Sequence, residues 1–408
     1  MRFRYSTEKN GKLVKKAAVY TQNEHKINFS DVDNHAVQIT ERLQANGFET
    51  YIVGGAVRDL ILGKIPKDFD IVSAASPGRI KKIFRNARII GRRFRLVHVY
   101  FGSKIIEVST FRSMKDGPTS NTFGTIEEDV RRRDFSLNAL FYDPLKQIVV
   151  DYVGGMRDIR KRLIRPIIDL PHIFTDDPVR MIRAVKYSAS ADFKLPLSLK
   201  FRIRRHRGLL ADISPSRLTE EIFKIIHSPR AMEIVENLDA MGLFQYLQPR
   251  AAELFRTKPG FKARYLKTLE TSAVKNMPGE ALTALIRDYL DDTADWDGKW
   301  SGEAGDYPGR RTLSERYKGA FVLARKFVLP MNPPRIELDN ALKILFAEHG
   351  ITIKKSRFHE HPRRLPHQDD RGMEMNIFEE KPDDASLGKP APNKRRHRRR
   401  KKAGSTLL

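Results

Sequence analysis

Apolar and polar residues follow a strand-like pattern between Thr50 and about Val150. Five short runs in this region are rich in β-branched and aromatic residues, and segments with helical spacing separate them. The pattern predicts a domain that mixes strands and helices. The runs are YIV, FDIV, RLVHVYF, KIIEVSTF and QIVVDYV. Two of them, joined in RLVHVYFGSKIIEVSTF, predict a hairpin that turns near Gly102 and Ser103.

Beyond about Ile164 the apolar positions recur at helical spacing, which predicts a mostly helical second half up to about residue 350. The segments are DDPVRMIRAVKYSA, SRLTEEIFKIIHS, PRAMEIVENLDAMGLFQYL, GEALTALIRDYLDD and IELDNALKILFAEHG. The polar stretch WDGKWSGEAGDYPGRR predicts a surface loop between the last two. After Ile353 the chain is charged and has few apolar residues, so we expect disorder there.

The N-terminal residues 1–29 are polar and basic, and their pattern predicts no regular element. Ser30 stands three residues before Asp33, an arrangement that resembles a helix cap, and we expect a helix over VDNHAVQITERLQANG that ends at Gly47. The expected organisation is a basic extension, a mixed domain, two helical regions and a basic tail. Their boundaries are 1–29, 30–165, 166–250, 251–353 and 354–408.

The charge of the chain indicates its class of partner. The 408 residues include 76 Lys and Arg against 50 Asp and Glu, a formal charge of +26. The stretch KRRHRRRKK, residues 394–402, supplies eight positive charges, so the rest of the chain still carries +18. An excess of this size favours a polyanionic partner such as nucleic acid or an anionic membrane surface.

Three absences from the sequence exclude whole classes of site or protein. There is no Cys, which excludes disulfides, thiolate metal sites and a cysteine nucleophile. No apolar run approaches the roughly 20 residues of a membrane helix. The N-terminal MRFRYSTEKNGKLVKK also lacks the apolar core of a secretory signal. We therefore expect a soluble protein of the cytoplasm.

The segment YIVGGAVRDLILGKIPKDFDIV joins a predicted strand directly to Gly54 and Gly55. AVRDLILG then predicts a short helix that ends at Gly63. Glycines at such a junction let the backbone approach a phosphate, and the helix that follows offers free N–H groups. The alternative is an ordinary tight turn.

Acidic residues in the next predicted strands suggest a cation site. Asp68 and Asp70 are two residues apart in DFDIV, so they project from the same face of a strand. Like charges held together are unfavourable unless a cation lies between them, and carboxylates, water and phosphates are the ligands that Mg²⁺ prefers. Glu107 in IIEVST would complete a cluster of three carboxylates if its strand neighbours DFDIV. Otherwise it occupies a solvent-facing strand position.

The segment RRRDFSLNAL has a structural and a functional interpretation. In the first, Asp134 pairs with Arg132 or Arg133 and caps a helix. In the second, Arg133 and Asn138 face the phosphates and sugar of a nucleotide.

The segment TDDPVRMIRAVKY predicts a helix with a basic stripe. Asp177 is its expected N-cap, and Pro178 is its first residue. The cations of the stripe recur at intervals of three: Arg180, Arg183 and Lys186. The stripe is either a solvated face or a surface that holds a triphosphate and contacts a base edge. Asp177 is likewise either a cap or a base contact.

Together these motifs resemble the class II nucleotidyltransferases, the family of bacterial poly(A) polymerases and tRNA CCA-adding enzymes. The matching segments are GGAVRD, KDFDIV, IEVSTFR, EEDVRRRDFSLNAL, DYVGGMRDI and DDPVRMIRAVKY, in family order over roughly residues 50–250. The resemblance implies an α+β fold, with a polymerase-β-like head built on a small mixed sheet and an all-helical neck, body and tail. Two positions differ from the family: Asp176 stands where Glu is common, and Lys186 where Arg is common. Lys186 could therefore hold a phosphate only as a point charge.

The resemblance implies roles for the residues that match the motifs. Asp68 and Asp70 would be catalytic metal ligands, and Asp177 and Arg180 would face the incoming base, with Arg183 nearby. With the interpretations above, the predicted catalytic residues are Asp68, Asp70 and Asp134, and the predicted metal ligands are Asp68, Asp70 and Glu107. The predicted nucleotide-binding residues are Gly54, Gly55, Arg58, Arg133, Asn138, Asp177, Arg180, Arg183 and Lys186.

Within the family, RNARIIGRRFRLVHVYFG and the basic C-terminal extension are similar to the poly(A) polymerase branch. The resemblance then implies transfer of AMP from ATP to the 3′ end of RNA without a template, in RNA processing and decay. One Mg²⁺ would lower the pKa of the RNA 3′-hydroxyl and another would neutralise the triphosphate, so that the hydroxyl attacks the α-phosphorus in line and pyrophosphate leaves. One alternative is a tRNA CCA-adding enzyme. The other is a non-catalytic RNA-binding protein, for which the basic surface alone suffices.

Overall fold

The computed structural model describes residues 2–7, 12–91, 95–113, 122–272, 279–298 and 312–353. The predicted tail and most of the predicted surface loop lie outside these residues. Residues Met1–Ile353 form one unit by their internal contacts. Among the described residues, none of the helices has the length and apolar character needed to span a membrane.

A mixed sheet occupies the first part of the described chain. Its strands are β1 (Arg2–Thr7), β2 (Leu13–Thr21), β3 (Thr50–Val53), β4 (Asp70–Ser73), β5 (Ala87–Ile90), β6 (Leu96–Phe101), β7 (Lys104–Thr110), β8 (Leu140–Asp143) and β9 (Ile148–Asp151). Their order in the sheet is β1-β2-β9-β8-β3-β4-β7-β6-β5. Neighbours are antiparallel except β4 and β7, which run parallel.

Helices cover both faces of this sheet. They are α1 (Gln22–His25), α2 (Asn34–Ala45), α3 (Gly55–Ile61), α4 (Pro77–Ile83), α5 (Ile126–Arg131) and α6 (Gly155–Arg160). All four residues of β3 are buried because Ile52 packs into the main core while Tyr51 and Val53 pack into a second apolar cluster. Ile126 and Val130 of α5 belong to that second cluster. The strand that leads to the paired glycines is therefore fixed from both sides.

The second half of the described chain is helical, as predicted. Its helices are α7 (Ile173–Asp176), α8 (Val179–Ala191), α9 (Leu197–His206), α10 (Pro215–Ile226), α11 (Ala231–Ala240), α12 (Phe244–Leu247), α13 (Pro249–Thr257), α14 (Pro259–Ser272), α15 (Glu280–Thr293), α16 (Leu313–Phe327) and α17 (Arg335–Glu348). In α10, for example, Leu218, Ile222 and Ile225 are buried at helical spacing. The α+β fold is confirmed, and so is the hairpin, because Phe101 of β6 pairs with Lys104 of β7.

The predicted cap at Ser30 is wrong. Helix α2 is capped by Asp33, whose Oδ1 accepts hydrogen bonds from the backbone N–H groups of His35 at 2.9 Å and Ala36 at 3.1 Å. Ser30 instead lies in a short 3₁₀ turn, Phe29–Asp31. The carboxylate is closer in sequence to the first free N–H groups of the helix and binds two of them. Gly47 follows α2 with φ of 82°, which confirms the predicted end of the helix.

The N-terminal residues also differ from the prediction, because they form two strands of the sheet. β1 pairs with β2, and β2 pairs with β9 through contacts such as Ala18 opposite Asp151. Ala17 and Ala18 are buried. The pattern was not visible locally because LVKKAAVYT breaks the strict alternation of polar and apolar residues, and because the partner strand lies far along the chain.

Candidate active site

The paired glycines form a turn between β3 and α3. Gly54 has φ of 76° and ψ of −137°, a conformation that is essentially restricted to glycine. A Cβ placed on Gly54 would lie 3.8 Å from Oδ2 of Asp70. The predicted strand, turn and helix are confirmed, and the turn brings the backbone beside an acidic side chain.

Asp70 and Asp68 carry negative charge that no described cation neutralises by a direct contact. Asp70 is the first residue of β4, opposite Val53. The prediction that Asp68 lies on the same strand is wrong, because the pairing of β3 with β4 ends at Val53 and Asp70, so Asp68 precedes the strand. Neither carboxylate forms an ion pair or hydrogen bond with a described residue, so both are available to a ligand.

The electrostatics of Asp70 reflect this lack of a direct partner. Desolvation within the protein raises the pKa of Asp70, the positive charge of Arg133 opposes that rise, and Asp68 adds to it. A carboxylate in this position is stabilised in its charged form by an added cation.

Glu107 lies next to Asp70 in the sheet. β4 and β7 are parallel neighbours, and their register places Asp70 directly opposite Glu107. Burial raises the pKa of Glu107, and the charge of Asp70 raises it further. Nε2 of His98 is 3.9 Å from Glu107. Within the described ranges, no group of three or more His, Asp or Glu has the geometry of a metal site, so Glu107 stays a predicted ligand.

A cavity of about 1180 Å³ opens beside the two aspartates. Its described lining contains twelve Lys and Arg and seven Asp and Glu. Glu107 is the predicted site residue outside that lining. The predicted residues that line the cavity are Gly54, Gly55, Arg58, Asp68, Asp70, Arg133, Asp134, Asn138, Asp177, Arg180, Arg183 and Lys186. The structure thus gathers residues from both halves of the chain around one basic space.

A chain of polar contacts crosses one wall of the cavity. Arg58 Nη1 donates to Asn138 Oδ1 at 3.0 Å, and Asn138 Nδ2 donates to Asp134 Oδ1 at 3.3 Å. Asp134 Oδ2 lies 3.0 Å from Arg183 Nη2. Burial alone would lower the pKa of Arg183, but the Asp134 carboxylate raises this pKa well above its usual value. Asp134 is buried, and its contacts position Arg183 and Asn138.

The predicted pairing of Asp134 with Arg132 or Arg133 is wrong, because Asp129 takes both arginines. Asp129 is fully buried; its Oδ1 accepts from Arg132 Nε at 2.9 Å and its Oδ2 from Arg133 Nη2 at 2.8 Å. Burial raises the pKa of Asp129, but Arg133 and Arg132 outweigh burial and lower it. Asp129 is a site residue that sequence reasoning missed. Its spacing of three and four residues from the two arginines was the available signal.

The basic stripe on α8 faces the cavity and is not a solvated surface. Arg180 is buried and donates to the carbonyl oxygens of Ile173 at 3.1 Å and Arg132 at 3.4 Å. Lys186 is also buried and lies 2.6 Å from Glu221. Lys186 is therefore already neutralised, and any phosphate would have to compete with Glu221.

Asp177 makes the capping contact that was one of its two expected roles and an ion pair with Arg217 that was not expected, and its base contact stays a prediction. Its Oδ1 accepts a hydrogen bond from the backbone N–H of Val179 at 3.2 Å, as an N-cap does. Both carboxylate oxygens also accept from Arg217 Nη2, at 2.9 and 2.8 Å. The Asp177 side chain lines the cavity and is 21% exposed, so a ligand could displace Arg217 from it.

Helix α10 supplies three cavity residues that sequence reasoning missed. Arg217, Glu221 and Lys224 lie four and three residues apart, so they share one face of the helix. Burial would lower the pKa of Lys224, but the charges of Glu221 and Glu220 raise it. The helical spacing was visible in the sequence, but nothing there indicated that this face meets the head domain.

Comparisons with known proteins agree with this geometry. Residues 50–165 match the family model described as "Poly A polymerase head domain", and residues 192–255 match "Probable RNA and SrmB-binding site of polymerase A". Poly(A) polymerase I of Salmonella typhi is 41% identical over 253 residues, which cover 58% of this chain and 54% of that protein. The CCA-adding enzyme of Geobacillus thermodenitrificans is 38% identical over 224 residues, covering 53% and 55%.

Among solved structures, the crystal structure of the Bacillus stearothermophilus CCA-adding enzyme in complex with CTP has a TM-score of 0.51 and 26% identity. The match covers 77% of this chain and 82% of that one. The chain spans about half the length of the two curated relatives named above. In its matched segments and in its fold the chain is similar to the class II nucleotidyltransferases, the family that contains the bacterial poly(A) polymerases and the tRNA CCA-adding enzymes.

Proposed function

We propose that the protein is a template-independent poly(A) polymerase, which transfers AMP from ATP to the 3′ end of RNA and releases pyrophosphate. The observation that carries the proposal is the pair of aspartates, Asp68 and Asp70, without a direct cationic partner in a cavity lined by twelve Lys and Arg. Nucleotidyl transfer requires acidic side chains that hold a cation and basic side chains that hold a polyanion. We expect it to act in RNA processing and decay.

The donor set at this site suits Mg²⁺. Two carboxylates with water and phosphate oxygens match the ligands that Mg²⁺ prefers, and an added cation would stabilise the charge of Asp70, which is partly desolvated and has no direct partner among the described residues. When bound, Mg²⁺ lowers the pKa of the RNA 3′-hydroxyl and neutralises charge on the triphosphate. Asp68 and Asp70 would hold it, with Glu107 as a third candidate.

The remaining residues bind and orient the nucleotide in this proposal. The glycine turn and Arg58 would contact phosphates, since Arg58 is held beside the turn by Asp59 at 2.8 Å and by Asn138. Asp134 would act by positioning Arg183 and Asn138. Asp177 and Arg180 would contact the incoming base.

A tRNA CCA-adding enzyme is the alternative activity, supported by the relatives and the solved structure of that kind. The longer match to poly(A) polymerase I favours AMP addition. The test is purified protein with Mg²⁺ and each NTP separately, on an unstructured RNA and on a tRNA that lacks its CCA end. ATP-only extension of the unstructured RNA supports the proposal. Addition of both CMP and AMP to the tRNA contradicts it, and no addition at all would favour a non-catalytic RNA-binding protein.

Substitution of Asp177 by Ala should reduce the preference for ATP over other NTPs by about tenfold, since one base contact is lost. The lost cap should cost only about 0.5–2 kcal/mol of folding stability. The measurements are kcat/KM for each NTP and the melting temperature. Arg217→Ala is the matched control, because it removes the ion pair and leaves the cap. Unchanged NTP preference together with a lower melting temperature would mean that Asp177 is only a cap.

Removal of residues 390–408 should weaken RNA binding most at low salt. This segment carries KRRHRRRKK without an apolar anchor, so we expect an electrostatic arm that contacts phosphates regardless of sequence. Loss of such contacts flattens the dependence of log affinity on log salt concentration, while the rate at saturating primer is retained. RNA binding by the full and shortened chains, measured at several salt concentrations, tests this. Parallel salt slopes would show that the segment does not bind RNA.

A further inference from the structure

A second pocket lies in the helical region, outside both segments that match family models. It has a volume of about 540 Å³ and is formed by the end of α16, the start of α17 and the loop between them. Its lining contains two arginines and no acid. The lining residues are Phe321, Arg325, Asn332, Pro333, Pro334 and Arg335.

The charge of the two arginines is not neutralised by any described acid. Arg325 donates to the carbonyl oxygen of Pro333 at 3.3 Å and to Oδ1 of Asn332, which are both uncharged. The guanidinium of Arg335 lies over the Phe321 ring, 5.6 Å from its centroid. Neither arginine has an ion pair within the described residues. The pocket therefore favours an anion, and planar guanidinium groups suit phosphate oxygens.

Apart from Asn332, the rest of the lining is apolar. Phe321 is half-buried, and the two prolines continue the surface beside it. Val322 and Ile336, which follow the lining residues Phe321 and Arg335 in sequence, are 50% and 61% exposed. Proteins that bind single-stranded nucleic acid use this combination: bases stack on aromatic rings, and neighbouring cations contact the phosphate backbone. The volume also lies within the range of small-ligand sites.

One helix connects this pocket to the active-site cavity. The backbone N–H of Asn332 donates to Thr219 Oγ1 at 2.8 Å. Thr219 belongs to α10, whose residues Arg217 and Glu221 line the active-site cavity. Thr219 is two residues from both Arg217 and Glu221, so the pocket and the cavity adjoin opposite faces of α10, and an RNA strand with its 3′ end in the cavity would pass round this helix to reach the pocket.

We propose that this pocket binds one nucleotide of the RNA primer upstream of its 3′ end. The base packs against Phe321, and the phosphate contacts Arg325 and Arg335. The inference rests on the proposed function in one respect, namely that the partner is single-stranded RNA.

Equilibrium binding of a labelled oligoadenylate to the full chain, without ATP or metal, tests the proposal. Phe321→Leu keeps the packing of the half-buried side chain but removes the flat ring, and it should weaken binding about tenfold. Arg335→Gln should weaken binding and lower the slope of log affinity against log salt by about 0.7, the value for one phosphate of a single strand. Lys326→Gln is the matched control, because Lys326 is an exposed cation on α16 outside the pocket. It should leave the affinity close to that of the unchanged protein.

Three results would overturn the proposal. Equal weakening by Lys326→Gln and Arg335→Gln would show a diffuse charge effect. Unchanged RNA affinity with weaker binding of a fluorescent ATP analogue would identify a free-nucleotide site. Unchanged affinity for both ligands would exclude nucleotides, and melting temperatures show whether each variant is folded. Because the assay needs no catalysis, weaker RNA binding by the variants would support the pocket even if the unchanged protein fails to add AMP.

Discussion

Replacement of Asp68 or Asp70 by Asn should reduce nucleotide addition by about a thousandfold or more, because each removes a charged ligand of the catalytic metal. Asn has the shape of Asp, so packing at the start of β4 is retained. Asp70 has no ion pair with a described residue, and its pKa is raised by desolvation. Loss of its charge should therefore not destabilise the fold. The measurement is the rate of AMP addition at saturating ATP and RNA over a range of Mg²⁺ concentrations.

RNA affinity without metal is the control for these two variants. It should be equal to or above that of the unchanged protein, since an acid is removed from a basic cavity. Addition at a near-normal rate by either variant would contradict the assignment of that aspartate as a metal ligand. Loss of both RNA binding and the folding transition would show a structural role instead.

Replacement of Asp129 by Ala should lower the free energy of unfolding by about 3–5 kcal/mol, the cost of removing one partner from a buried ionic cluster. Asp129 is fully buried, and Arg132 and Arg133 would lose their shared carboxylate. Chemical denaturation measures the change. Glu127→Ala is the matched control on the same helix, because Glu127 is half-buried and has no ion pair or hydrogen bond with a described residue, and its effect should be within about 0.5 kcal/mol.

The contribution of Asp129 should also depend on pH. Its pKa is lower in the folded chain than the usual value of about 3.9. The stabilisation is therefore fully present above that value and is lost as the pH falls through the lower folded value. The difference in stability between the unchanged protein and Asp129→Ala should be constant near neutral pH and shrink in strong acid. A difference below about 1 kcal/mol at neutral pH would show that the arginines find other partners.

The features predicted correctly from the sequence are those that local spacing determines. The glycine turn, the hairpin at Gly102 and the end of α2 at Gly47 each depend on neighbouring residues and on backbone conformations that glycine favours. The basic stripe on α8 was predicted as a set because helical periodicity groups it. None of these features depends on which distant segments pack together.

The features that were missed depend on distant packing. Arg217 and Lys224 line the cavity because α10 packs against α8, which also lines it, and the sequence of α10 alone fits a solvated face equally well. Asp134 lost its predicted partners because Asp129, buried nearby, binds both arginines. Pairing of β2 was missed for the same reason, since its partner β9 is remote in sequence.

The pairing of β2 with β9 has a consequence for synthesis of the chain. Translation proceeds at about 5–20 residues per second, so the interval between synthesis of β2 and synthesis of its partner β9 is on the order of ten seconds. Until then β1 and β2 can form only an isolated hairpin, which is marginally stable in water. The strands of the head sheet therefore cannot all pair in the order in which they leave the ribosome, because β2 joins the sheet only after β9 is made. Nascent chains that stop before Ile148 should be more sensitive to protease at their N-terminus than chains that extend past Asp151.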